Sequence, residues 1–275
     1  MVAFLFSGVS DMSTVNDKGT ALVTGASSGI GARYAERLAE RGYNLLLVAR
    51  DEQRLQRLSQ QLQSRFAVTA EVMPADLTDI RAIERVAQRL RQDQQISLLV
   101  NNAGVALNGS LAESDRHSVA ALLQLNVLAL TLLSSAAAVN FSIAGRGGII
   151  NLGSVVALLP ERFNAVYAAS KAYVLSLTQS LQAEVGDRGV RVQAVLPGMT
   201  RTEIWQRSGA KLDASFDAMI MSPDDMVDAA LRGFDEGELV TIPSLPDSAD
   251  WHNLLQARMQ LAPNLSHRQP AARYS

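Results

Sequence analysis

Short, uniformly apolar runs alternate with helix-patterned segments along most of this chain, and few folds tolerate that order. Residues 20–24, 44–48, 68–73, 96–100, 148–152 and 190–196 read as strands whose hydrophobic side chains occupy consecutive positions. Such a strand has apolar groups on both sides, so both faces of its sheet must be covered. Between the runs lie helical patterns. One runs to Glu40 and is stopped by Gly42. The next is capped by Asp51, and others span 79–91, 114–140 and 164–186. Strand and helix in strict alternation predict an α/β fold with a doubly wound parallel sheet.

Nothing in the chain of 275 residues marks a second domain. We expect one domain over 18–262, an N-terminal extension over 1–17 and a polar tail over 263–275. Segment 199–222 differs in texture. It sets Trp205, Phe216, Met219, Ile220 and Met221 among polar residues just beyond a strand end, where ligands bind in such sheets. It reads as a loop and helix covering a substrate. Val155, Val156, Leu158 and Leu159 promise an apolar pocket, with Arg162 and Arg201 the nearby cations.

The first strand runs into Thr24-Gly-Ala-Ser-Ser-Gly-Ile-Gly31, which opens the first helix. Glycine lets the chain turn sharply and approach a phosphate closely. The helix N-terminus adds N–H donors and partial positive charge. Gly25, Ser27, Ser28, Gly29, Ile30 and Gly31 are therefore candidate dinucleotide ligands in a Rossmann-type sheet. The same residues satisfy G-x-S-x-G at 25–29, the nucleophile turn of serine hydrolases, which is an alternative reading. That chemistry needs an acid and a histidine, and the only histidines are His117, His252 and His267.

Tyr167 and Lys171 are four residues apart on a predicted helix, so they share a face. Ser154 lies thirteen residues before the tyrosine. Only three lysines occur, Lys18, Lys171 and Lys211, in a chain that otherwise uses arginine. A phenol titrates near ~10. A cation ~4 Å away favours the phenolate by about three pKa units at an effective dielectric of ~20. The spacing thus predicts a tyrosine tuned for general acid/base work.

A net charge of −2 and the lack of a long basic run disfavour nucleic acid as a partner. The absence of cysteine removes disulfides, thiolate nucleophiles and zinc–thiolate sites. The N-terminus lacks a charged leader, so no signal peptide is expected and the location is read as cytoplasmic. Residues 119–139 carry no charge and could span a bilayer by length. Their polar members (Gln124, Asn126, Thr131, Ser134, Ser135) favour a helix buried on several sides, with no membrane partner.

With these residues assembled, the chain resembles the short-chain dehydrogenase/reductase family over about 18–200. The likeness rests on T-G-A-S-S-G-I-G, on Asn101-Asn-Ala-Gly104, on Asn126, Ser154, Tyr167 and Lys171, and on Pro197-Gly198 followed by Thr200 or Thr202. The resemblance implies that Tyr167 passes a proton to or from the substrate oxygen as hydride moves. It implies that Lys171 holds the nicotinamide ribose, Ser154 steadies the substrate oxygen, and Asn126 holds a water behind Lys171. Asp76 and Leu77 would meet the adenine, while Asn102, Ala103 and Gly104 would line the adenosine side. Pro197, Gly198, Thr200 and Thr202 would line the nicotinamide side. A homodimer or homotetramer is implied as well, with the apolar helices as packing faces.

An acid at the tip of the second strand would favour NAD, by gripping the ribose hydroxyls. Here the tip is Ala49 followed by Arg50, and arginine suits a phosphate. With Asp51 assigned to the helix cap, the cofactor expected is NADP(H). The chain reads as an NADP(H)-dependent oxidoreductase interconverting an apolar carbonyl compound and its secondary alcohol. A non-catalytic NADP sensor is the remaining alternative.

Overall fold

The computed structural model describes residues 18–203 and 214–274. The extension 1–17 and residues 204–213, Trp205 among them, lie outside the described residues. The chain divides into two compact units, one ending at Pro243 and one starting at Ser244.

The first unit holds a seven-stranded sheet of β1 (Thr20–Thr24), β2 (Asn44–Ala49), β3 (Ala70–Pro74), β4 (Ile96–Asn101), β5 (Gly147–Leu152), β6 (Val190–Val195) and β7 (Val240–Thr241). Their order is β3-β2-β1-β4-β5-β6-β7, and every pairing is parallel. The order reverses between β1 and β4. A crevice opens there beyond the strand ends, the usual ligand position of a doubly wound sheet.

The helices of this unit are α1 (Gly29–Glu40), α2 (Glu52–Arg65), α3 (Ile80–Gln92), α4 (Arg116–Leu123), α5 (Leu130–Ala144), α6 (Ala165–Val185) and α7 (Pro223–Glu236). Asp51 caps α2 and Asp79 caps α3, each accepting from a first-turn backbone N–H. Alternate strand residues feed two cores. Leu22, Leu46, Leu99 and Ile149 stand in register and join Ile83, Val86, Leu133 and Phe141 on one face. Their neighbours Ala21, Leu45, Leu98 and Ile150 join Tyr34, Leu38, Met226 and Leu231 on the other. This is why the strands read as unbroken apolar runs: each member of the run has a core to enter.

Three local features depart from the sequence reading. The third strand starts at Ala70 rather than Val68 and lies at the sheet edge. Helix α7 and the two-residue β7 are absent from the sequence reading. The Ser222 cap and Pro223 at the first helical position are the signals that announce α7. The apolar helix is also not regular. Gln124–Ala129 forms a π-helical turn between α4 and α5, with the Thr131 hydroxyl bonded to the carbonyl of Val127 at 2.7 Å. Residues 116–144 together are long and apolar enough to cross a membrane, alone among the described residues. Here Leu133, Ala136, Ala137 and Phe141 instead pack into the core that α3 shares.

The second unit consists of α8 (Ser248–Met259), capped by Asp247, and two short 3-10 turns at Ala262–Asn264 and Ala272–Tyr274. Its side chains are largely exposed.

Candidate active site

One cavity of about 920 Å³ lies at the C-terminal ends of the strands and collects most of the predicted residues. Its floor begins with the glycine-rich turn. Gly25 has φ 65°, and a Cβ there would lie 2.7 Å from the Asn102 amide. A Cβ on Gly31 would strike the Gly25 carbonyl and the same amide. Gly31 therefore shapes the turn from behind, while Gly25, Ser27, Ser28, Gly29 and Ile30 face the cavity.

Asn102 holds this turn in place. Its Nδ2 donates to the carbonyls of Thr24 and Gly25 at 2.9 and 3.3 Å. The Thr24 hydroxyl accepts from the backbone N–H groups of Asn102 and Ala103, both at 3.0 Å. Ser28 occupies the N-cap position of α1 without a side-chain cap. The first N–H groups of α1 thus lack the usual capping oxygen, and an anion in the cavity can take that role.

The far side of the turn carries the residues expected to meet the adenosine. Arg50 is exposed at the end of β2 and lines the cavity beside Ala49, Asp76 and Leu77. Asp76 accepts from the backbone N–H and hydroxyl of Thr78 at 3.0 and 2.8 Å. Partial burial works to raise its carboxyl. The two Thr78 bonds and the Arg50 charge outweigh burial and hold the carboxyl below its ordinary range. A Cβ on Gly29 would lie 3.2 Å from the Thr202 methyl, so the segment after β6 closes against the turn. Pro197, Gly198, Thr200 and Thr202 line that wall.

Ser154, Tyr167 and Lys171 meet at the other end of the cavity. Ser154 follows β5; its hydroxyl donates to the carbonyl of Pro197 at 3.4 Å, accepts from the Val156 N–H at 3.3 Å and lies beside the Tyr167 phenol. Lys171 is buried one turn along α6 and donates from Nζ to the carbonyl of Leu152 at 2.9 Å. Its Nζ lies 5.8 Å from the centre of the Tyr167 ring. Burial pushes the Lys171 ammonium down to about 8. Burial also raises the Tyr167 phenol, and the Ser154 hydroxyl opposes this only in part. The direction is the reverse of that expected from the four-residue spacing. The reason is physical: the ammonium is committed to a carbonyl, and desolvation acts on both groups.

Asn126 stands behind the cavity wall on the π-helical turn, 2% exposed. Its side chain pairs with the Val105 peptide like a strand neighbour. Oδ1 accepts from the Val105 N–H and Nδ2 donates to the Val105 carbonyl, both at 2.9 Å. Nδ2 also approaches the Ser170 hydroxyl at 3.3 Å. Gly104 fits between, since a Cβ there would lie 3.2 Å from Asn126 Oδ1 and 3.8 Å from Lys171 Nζ.

Several residues of the site were not anticipated. Asn164 caps α6 by accepting from the N–H of Val166 and of Tyr167 itself, each at 3.1 Å. Its amide also donates to the Gly109 carbonyl at 3.0 Å, tying the loop after β4 to the helix that carries Tyr167. An asparagine three residues before the tyrosine was the available cap signal. Arg54, Thr78 and Glu203 also line the cavity. Of the apolar set, Val155 and Val156 line it, whereas Leu158 and Leu159 do not. Arg162 lines it too, but Arg201 turns away to Asp217 at 3.7 Å. The hydrolase constellation does not form: none of His117, His252 and His267 lines the cavity that holds Ser27.

A family model for short chain dehydrogenase matches residues 19–213. A short-chain dehydrogenase from Sphingobium yanoikuyae, solved in complex with NADPH, is 47% identical with a TM-score of 0.90, over 93% of this chain and all of that one. The bulky-bulky ketone specific alcohol dehydrogenase from Comamonas testosteroni is 44% identical with a TM-score of 0.85, over 93% of this chain and 98% of that one. Galactitol 2-dehydrogenase (L-tagatose-forming) from Cereibacter sphaeroides is 37% identical over 68% of this chain and 74% of its own length. With the turn, the serine–tyrosine pair and the buried lysine in one cavity, the chain belongs to the short-chain dehydrogenase family and is an NAD(P)-dependent oxidoreductase.

Proposed function

We propose that this protein reduces bulky apolar ketones with NADPH and that Tyr167 is the proton donor. One observation carries the reading: Ser154 and Tyr167, with Lys171 one turn along α6, line the same cavity as the glycine turn and Arg50. The cofactor supplies a hydride when bound. The residues do the rest. Ser154 and Tyr167 hold the carbonyl oxygen between two hydroxyls. A phenol raised by burial stays protonated at neutral pH, which suits donation to an oxygen gaining charge. Lys171 binds the ribose on the nicotinamide side, and Asn126 keeps the Val105 segment in place around it.

Arg50 supports NADP(H) over NAD(H), because the end of β2 offers a guanidinium and the adjacent Asp51 is engaged as the cap of α2. The NADPH complex of the Sphingobium relative supports the same choice. Val105, Leu107, Val156, Phe163 and Met199 around the substrate end support an apolar ligand. The ketone specificity in the name of the Comamonas relative agrees with this. The test is a panel of bulky and small ketones with NADPH and NADH, followed by cofactor absorbance. Turnover of bulky ketones with NADPH, cut at least about a hundredfold in Tyr167→Phe, is expected. Equal turnover in Tyr167→Phe would overturn the assignment.

We also propose a homo-oligomer in the cytoplasm, with segment 199–222 over the substrate. Exposed apolar side chains along α5 and α6 (Val139, Ile143, Tyr173) support an additional packing surface. Light scattering of the purified chain tests it, and a monomer at micromolar concentration would rule it out.

A further inference from the structure

Arg54 and Glu203 meet in the cofactor cavity from positions 149 residues apart. Arg54 Nη1 lies 3.0 Å from both carboxylate oxygens of Glu203. At the other end of the fork, Nε lies 3.4 Å from Asp51 Oδ2. Arg54 stands on the first turn of α2, one turn beyond Arg50. Glu203 follows Thr202, the residue packed against Gly29 of the phosphate turn. Asp51, Arg54, Thr202, Glu203 and Gly29 all face one space with Ser27 and Arg50.

We propose that Glu203 sets cofactor selectivity by competing for Arg54, an inference that rests on the NADP(H) reading above. Both side chains are 41% exposed, so the pair is held weakly and can exchange partners. A 2′-phosphate beside Arg50 is a stronger partner for a guanidinium. It carries nearly two charges and three acceptor oxygens. With Glu203 in place, Arg54 faces carboxylates at both ends, and a phosphate must displace one of them. Without it, one acid remains and a second cation becomes available to the phosphate. Glu203 therefore restrains NADP(H) binding and is neutral toward NAD(H), which presents hydroxyls there. It acts through Arg54 and is a positioning residue.

The test uses the full chain and titrates 2′,5′-ADP, 5′-AMP, NADPH and NADH by calorimetry, so no substrate is needed. Glu203→Gln should tighten 2′,5′-ADP and NADPH by about threefold to tenfold and leave 5′-AMP and NADH within about twofold. Glu203→Asp should keep the parental ratio, and Arg54→Gln added to Glu203→Gln should erase the gain. Parallel shifts of NADPH and NADH in Glu203→Gln, or a gain that survives Arg54→Gln, would overturn the proposal. If the parent chain binds 2′,5′-ADP no better than 5′-AMP, the NADP(H) reading itself fails and takes the proposal with it.

Discussion

The ammonium of Lys171 sits 2.9 Å from the carbonyl oxygen of Leu152, at the end of the strand that delivers Ser154. Strand β5 therefore fixes the lysine as well as the serine, and α6 brings the tyrosine to both.

Lys171 should give stability an alkaline rise. Its value in the folded chain, about 8, lies below the unfolded 10.5, so the unfolded state holds more protons between those limits. Stability from this group increases as pH climbs from about 8 to 10.5 and is at its lowest below that window. Tyr167 acts oppositely, because a raised phenol loses stability only as pH rises above its ordinary 10. Lys171→Met should thus be more stable than the parent at pH 7, by about 1–3 kcal/mol, with the gap closing toward pH 10. Urea titrations at pH 7, 8.5 and 10 measure the gap, and a constant difference would contradict the assignment.

Tyr167→Phe should remove chemistry and spare binding. Loss of turnover by about 10²–10⁴ is expected for a missing general acid. The affinity for NADPH should stay within about threefold, since uncharged hydroxyls contribute modestly to a site held by ionic contacts. Stopped-flow turnover beside equilibrium titration separates the two effects.

Arg50→Ala should weaken NADPH by about tenfold or more and barely move NADH, because a guanidinium–phosphate bond is charge-assisted. An unchanged Michaelis constant for NADPH would return Asp51 to consideration as an NAD ligand. Its present bond to the Arg54 N–H argues for a cap.

Asn126→Leu leaves the Val105 N–H and carbonyl without these partners, at a half-buried residue that lines the cavity. A cost of about 1–3 kcal/mol follows from two peptide groups that water can reach only in part, readable as a lower urea midpoint. Hydrogen exchange should speed up at Val105 first.

Much of this fold was legible because the sheet is buried on both faces. Consecutive apolar residues such as Leu45, Leu46 and Leu47 leave no other arrangement, and Asp51 and Asp79 punctuate the helices by local chemistry. The glycine turn was legible for a similar reason: Gly25 and Gly31 sit where any side chain would collide. What stayed hidden depended on distance in the chain. Arg54 and Glu203 carry no local signal of their meeting. The two residues of β7 are too few for a pattern. The phenol's direction of shift was misjudged because spacing reports that two groups are near, while burial decides how each is charged.

The π-helical turn at 124–129 holds one residue more than an α-helical turn would. Removing a single residue there would let the turn settle into an ordinary α-helical one, with Leu133, Ala137 and Phe141 still on their interior face. What such a deletion would disturb is the placing of Asn126, whose side chain meets the Val105 peptide from this turn. The extra residue thus serves to aim one amide, and the core on either side could do without it.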